Sequence, residues 1–177
     1  MSDPWLVVID MQRVFAYDSP WASPDYATAA DGVERLLPSF GERVVLTRYV
    51  APARPEGAWV PYFEQWPFAL VPDDDPLYEL VLDPGDHPVV TRTTFGKWGP
   101  ELAEVTGGAG ELVLTGVSTD CCVISTALAA ADAGIRVRVV ADACAGASPA
   151  DHRRALDAMA LYAPLIEITT VAGVLRA

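Results

Sequence analysis

The chain has 177 residues, 51% hydrophobic and 20% charged, enough for one domain (1–177) with a real core. Its formal net charge of −12 argues against nucleic acid and anionic membrane surfaces as partners and, at long range, against anionic substrates. No apolar run approaches the ~18 residues of a membrane span. Met1–Trp5 lacks the basic region of a signal peptide, and three cysteines, an odd number, fit a reducing cytosol better than a disulfide scaffold, so a cytoplasmic protein is expected.

Trp5–Asp10 is a nearly continuous apolar run and reads as a buried strand ending in a carboxylate. Tyr26–Leu37 has a helical pattern that Pro38 should end, and Arg43–Tyr49 reads as a second strand. Ala51–Asp86 breaks the rhythm with prolines and aromatics and is too long for a casual connection. It is expected to form a lid or pocket wall, helical around Trp59–Trp66, with an aromatic oligomer interface as the alternative. Pro88–Arg92 is a third strand ending in a cation, and Lys97 follows shortly after it. Gly99–Val105 reads as a short helix with Pro100 in its first turn. Glu111–Gly116 leads into Val117-Ser-Thr-Asp-Cys-Cys122, then into an Ala-rich helix, Cys122–Ala133, closed by Gly134. Ile135–Asp142 and Leu165–Val171 read as the last strands. Between them lies a helix, Pro149–Tyr162, started by Ser148 with Asp151 completing a capping-box-like pattern. Strands alternating with helices predict an α/β fold: a doubly wound, six-stranded, mainly parallel sheet in a Rossmann-like three-layer sandwich. In such sheets function collects at the C-terminal ends of the strands.

Three strand ends carry reactive groups: Asp10, the cation Arg92 or Lys97, and the thiols Cys121-Cys122. A thiol at a helix N-terminus lies near unsatisfied N–H groups and the positive end of the dipole, which favour the thiolate. The carboxylate can take the thiol proton and pass it to a leaving amine, the cation can hold the carboxylate, and backbone N–H groups can bind an oxyanion. The bland readings are a turn residue for Asp10 and a small core residue for the cysteine. Adjacent helical residues face directions about 100° apart, so Cys121 and Cys122 cannot share a role. Cys144 reads as packing, and His87 and His152, the only two histidines, as surface or loop residues.

Gly116-Val-Ser-Thr-Asp-Cys-Cys-Val123 resembles the G-V-x-T-D-x-C-V motif of the isochorismatase-like cysteine hydrolases, which include nicotinamidase and N-carbamoylsarcosine amidase. Val8-Ile-Asp-Met-Gln12 with Phe15 is similar to that family's opening D-M-Q-x-x-F. The resemblance covers nearly the whole chain. It implies Cys122 as nucleophile, Asp10 as the catalytic aspartate, and Val117-Ser118 as a cis-peptide pair helping to build the oxyanion hole. The family's strand-three lysine aligns with Arg92, which is therefore favoured as the triad cation, with Lys97 as the alternative. Nicotinamidases carry a metal-binding Asp-x-His after strand two; here the place reads Thr47-Arg-Tyr-Val-Ala51, so neither a metal nor another cofactor is expected. Gln12, Phe15, Tyr49, Trp59 and Trp98 are candidates for the substrate pocket. The resemblance implies a metal-independent cysteine hydrolase cleaving a C–N bond of a small amide or ureido substrate, in a homo-oligomer, dimer or tetramer. The alternatives are an isochorismatase-type vinyl-ether hydrolase and a non-catalytic thiol-bearing binding or redox protein.

Overall fold

The apolar, β-branched runs pair as one sheet of six parallel strands: β1 (Trp5–Ile9), β2 (Val44–Tyr49), β3 (Val89–Arg92), β4 (Glu111–Val117), β5 (Arg136–Ala145) and β6 (Ile166–Thr169). The structure, a computed structural model, describes residues 3–176; the chain ends of the expected 1–177 domain lie outside them. The strand order is β3-β2-β1-β4-β5-β6, so the order reverses between β1 and β4. Parallel neighbours need crossovers, and these carry helices α1 (Arg13–Ala16), α2 (Tyr26–Phe40), α3 (Trp59–Gln65), α4 (Pro100–Val105), α5 (Ile124–Asp132) and α6 (Pro149–Ala160), while α7 (Val171–Leu175) follows the last strand. One face of the sheet packs under α2 and α7 and the other under α4, α5 and α6, with valines and leucines of β1, β2 and β4 fully buried between. The result is the doubly wound three-layer sandwich that the alternating pattern predicts, with every strand parallel.

The reversal point opens a crevice beyond the C-terminal ends of β1 and β4. Gly116 makes it narrow. At φ 104° a Cβ there would stand 2.0 Å from the Ile9 carbonyl oxygen, so glycine alone lets β4 run this close to the end of β1.

Local departures from the sequence reading have physical causes. α2 runs through Pro38 to Phe40. The proline removes one hydrogen bond near the helix end, while buried Leu36 and Phe40 anchor that last turn in the core. The helix expected from Cys122 starts earlier and differently, as a π-turn over Thr119–Val123 that α5 then continues. β6 stops at Thr169, and Val171 belongs to α7, whose first turn is capped by Thr170 Oγ1 accepting from the Gly173 N–H. α6 starts as expected, with Pro149 in its first turn and Ser148 Oγ accepting from the Asp151 N–H.

The aromatic segment folds over the crevice as α3 followed by 3-10 turns at Pro67–Ala69 and Pro76–Tyr78. Its anchor is Trp21, whose ring lies 5.1 to 6.2 Å from those of Phe15, Tyr49, Tyr62, Trp66 and Phe68. These edge and stacked contacts make the segment a pocket wall.

Candidate active site

Asp10 leaves β1 at φ 49°, a left-handed conformation unusual for a residue with a side chain, and is fully buried. Its N–H donates to the Thr47 carbonyl at 3.2 Å, and Thr47 Oγ1 donates to Oδ1 at 2.6 Å. The end of β2 thus fixes the carboxylate. Lys97 Nζ stands 2.9 Å from Oδ2 as an ion pair, and both side chains are 0% exposed. Among the described residues the Lys97 ammonium is the partner that Oδ2 meets, as an ion pair rather than an aligned hydrogen bond, and the Cys122 thiol faces the same carboxylate. Nζ also donates to the Thr94 carbonyl at 2.8 Å and lies 5.2 Å from the centre of the Tyr49 ring.

Arg92, favoured from sequence for this cation position, stands elsewhere. Its guanidinium pairs with Glu101 and packs against Gly99, where a Cβ would come within 2.6 Å of it. After β3 the chain folds back, and Lys97 rather than the strand-end cation reaches Asp10. The fold-back is tied to the thiol. The Lys97 N–H donates to Thr126 Oγ1 at 2.9 Å, and that hydroxyl donates to the Cys122 carbonyl at 2.7 Å.

Cys122 sits in the π-turn, 2% exposed, on the floor of the crevice. The helix-terminus reasoning that favours a thiolate is outweighed here. Burial, and then the Asp10 carboxylate, hold the thiol well above its ordinary pKa, while Lys97 and a hydrogen bond from the Ser118 backbone N–H pull it down. Burial and the neighbouring carboxylate thus favour the thiol over the thiolate. Cys121 points into the same crevice, but burial and then Asp120 push it up to about 11. The Val117–Ser118 peptide is cis.

The cavity above Cys122 has a volume of about 210 Å³. Phe15 and Tyr49, expected in the pocket, line it. Ser118 lines it too, whereas Val117 is buried in the core. The other expected pocket residues lie behind the walls. Gln12 braces them: its amide donates to the Tyr49 and Tyr78 carbonyls at 2.9 and 2.8 Å and accepts from the Tyr49 N–H at 2.8 Å. Trp59 packs behind, on Tyr62, Phe63 and Phe95, and Trp98, partly buried, packs against the core on the side of α4, α5 and α6. Trp21, Tyr62, Trp66, Phe95 and Asp120 line the cavity without having been singled out from sequence. They come from loops and from the segment with no regular period, where only the density of aromatics gave a signal. Cys144 is a buried packing residue. His152, read as a surface or loop residue, is instead half-buried on α6, with Nδ1 2.8 Å from Thr119 Oγ1.

No group of three or more His, Cys, Asp or Glu side chains among the described residues is arranged to hold a metal ion. At the end of β2, Thr47 is committed to Asp10. The donor set therefore does not fit a metal.

The fold closely matches a cysteine hydrolase from Pseudomonas syringae pv. phaseolicola 1448A, with TM-score 0.85 and 20% identity over 98% of this chain and 91% of that one. It also matches a pyrazinamidase of Pyrococcus horikoshii solved with zinc, with TM-score 0.77 and 26% identity over 96% of this chain and 99% of that one. In sequence, the chain is 40% identical over 115 residues to isochorismatase domain-containing protein 2 of Xenopus laevis, covering 63% of this chain. That match spans 53% of the Xenopus protein, about half its length. The isochorismatase domain profile matches residues 4–172. With a match over nearly its whole length, the chain belongs to the isochorismatase domain family.

Proposed function

We propose that the protein is a metal-independent cysteine hydrolase that cleaves the C–N bond of a small amide through an acyl-enzyme on Cys122. The observation that carries this reading is the thiol of Cys122 on the cavity floor with the buried Asp10–Lys97 pair directly beside it. In the resting site the thiol keeps its proton. As the substrate carbonyl settles over the sulfur, Asp10 takes that proton and Sγ attacks the carbonyl carbon. Lys97, ion-paired with Asp10, holds the carboxylate in place. Backbone N–H groups of the Val117–Ser118 turn and of Cys122 receive the developing oxyanion. Asp10 then gives its proton to the leaving nitrogen as the C–N bond breaks. A water, deprotonated by Asp10, attacks the thioester and frees the acid and the thiol.

The vinyl-ether alternative finds no support in the cavity, whose only charged lining side chain among the described residues is a carboxylate. A panel of small amides and ureido compounds, scored by ammonia release, tests the proposal. Wild-type protein should release ammonia from at least one of them. The Cys122→Ala protein should lose roughly a thousandfold or more of that rate; equal rates in both would rule out the nucleophile.

A further inference from the structure

We infer, resting on the hydrolase reading above, that the substrate is a small carboxamide whose acyl part is an apolar frame carrying a basic nitrogen, and that Asp120 recognises that nitrogen. The cavity, at about 210 Å³, lies below the roughly 300 Å³ where ordinary small-molecule pockets begin. It therefore holds one ring and its substituents rather than a drug-sized ligand. Its walls are the rings of Phe15, Trp21, Tyr49, Tyr62, Trp66 and Phe95. The faces of such rings are electronegative and attract cations while rewarding an apolar frame.

Charge points the same way. Among the described residues Asp120 is the only charged side chain lining the cavity. Lys97 is fully buried and paired with Asp10, and Arg92 is paired with Glu101. Asp120 is pre-positioned: Oδ1 accepts from the Ala147 N–H at 2.9 Å and from Ser118 Oγ at 3.2 Å. Among the described residues Oδ2 meets only the Cys121 thiol at 3.8 Å, a weak donor, so this oxygen keeps capacity for a ligand. A carboxylate already fixed loses little freedom on binding.

A second polar group belongs to a residue that lines the same cavity. Tyr49 is 1% exposed and its hydroxyl has no hydrogen-bond partner among the described residues. A buried hydroxyl left unpaired is costly, and a ligand polar atom in the cavity would satisfy it. An anionic ligand would meet a carboxylate, no cation and a chain of net charge −12.

Calorimetric binding to the Cys122→Ala protein tests the inference without turnover. The probes are benzamide and its para-aminomethyl and para-carboxylate derivatives. The aminomethyl compound should bind roughly 10- to 100-fold more tightly than benzamide, the carboxylate more weakly than either. Adding Asp120→Asn, which keeps an acceptor for the Ala147 N–H, should bring the aminomethyl-to-benzamide ratio down to about one. The inference is overturned by a carboxylate that binds as tightly as benzamide, by an unchanged ratio in Asp120→Asn, or by no binding of any probe at millimolar concentration. Ammonia release by wild-type protein separates the two readings. Binding in the expected order without release keeps the pocket assignment and sinks the hydrolase. Release without charge preference does the reverse.

Discussion

Asp10 occupies a left-handed backbone conformation that costs on the order of 1–3 kcal/mol for a residue with a side chain, and it is buried with its charge. Lys97 balances that charge, and neither of the two side chains has any exposed surface. Removing one partner of a buried pair costs about 3–5 kcal/mol because the other charge is left alone. Lys97→Met should therefore lower folding stability in urea by that order and abolish activity. Arg92→Gln, which loses only a partly exposed pair with Glu101, should cost less than about 1 kcal/mol. The reverse order of losses would return the cation role to Arg92. Lys97 was legible only as an alternative. Its strand-end neighbour Arg92 fits the linear pattern, and only the fold-back onto Thr126 and Tyr49, a tertiary event, brings the lysine to Asp10. The state of Cys122 has its own test. Because burial and Asp10 raise its pKa, its alkylation by iodoacetamide at pH 7 should be slower than that of free cysteine and should keep rising above pH 9. A plateau below pH 8, followed by peptide mapping of Cys122, would show a preformed thiolate instead.

At the scale of elements, the site is assembled by β1, β2, β4, the π-turn and the loop after β3, which meet at the reversal of strand order. The sheet was readable because parallel strands buried on both faces must be near-continuous apolar runs, as at Leu6–Ile9 and Leu112–Leu114. Asp10 was readable because it follows such a run directly, and Cys122 because the turn after β4 carries the motif Gly116-Val-Ser-Thr-Asp-Cys-Cys-Val123. The aromatic segment was readable as a pocket wall, but which side chains line it was not, since Trp21 lies in a proline-flanked loop outside the segment and no period announces how Tyr62 and Trp66 pack. Thr126 joins two elements: it accepts from the Lys97 N–H and donates to the Cys122 carbonyl. Thr126→Val keeps the shape but leaves a buried N–H without its acceptor. It should cost about 1–3 kcal/mol of stability and lower kcat more than it raises KM. A variant with wild-type kcat would mean that α5 and the Lys97 loop are positioned independently.

For the whole molecule, alkaline pH should be the weak side. Burial pushes the Cys121 thiol up to about 11, and the Cys144 thiol and the Tyr78 hydroxyl up to about 12. The folded chain thus keeps protons that the unfolded chain releases, beginning with its thiols near pH 9. The unfolded state then binds fewer protons, so stability is undiminished by these groups below pH 9 and declines through pH 11 to 12. The net charge of −12 adds self-repulsion in the same direction, which salt should screen. Calorimetry at high salt should show Tm falling from pH 8.5 to 11; a flat Tm would mean these groups titrate alike in both states. The central claim is that Cys122 is the nucleophile of a hydrolase whose base is Asp10. Intact-protein mass spectrometry, quenched during turnover of an amide that releases ammonia, tests it most directly. The account predicts an added mass equal to the acyl group, mapped to Cys122 and absent from the Cys122→Ala protein. Ammonia released at an undiminished rate by the Cys122→Ala protein, or an acyl group mapped to Cys121, would contradict it.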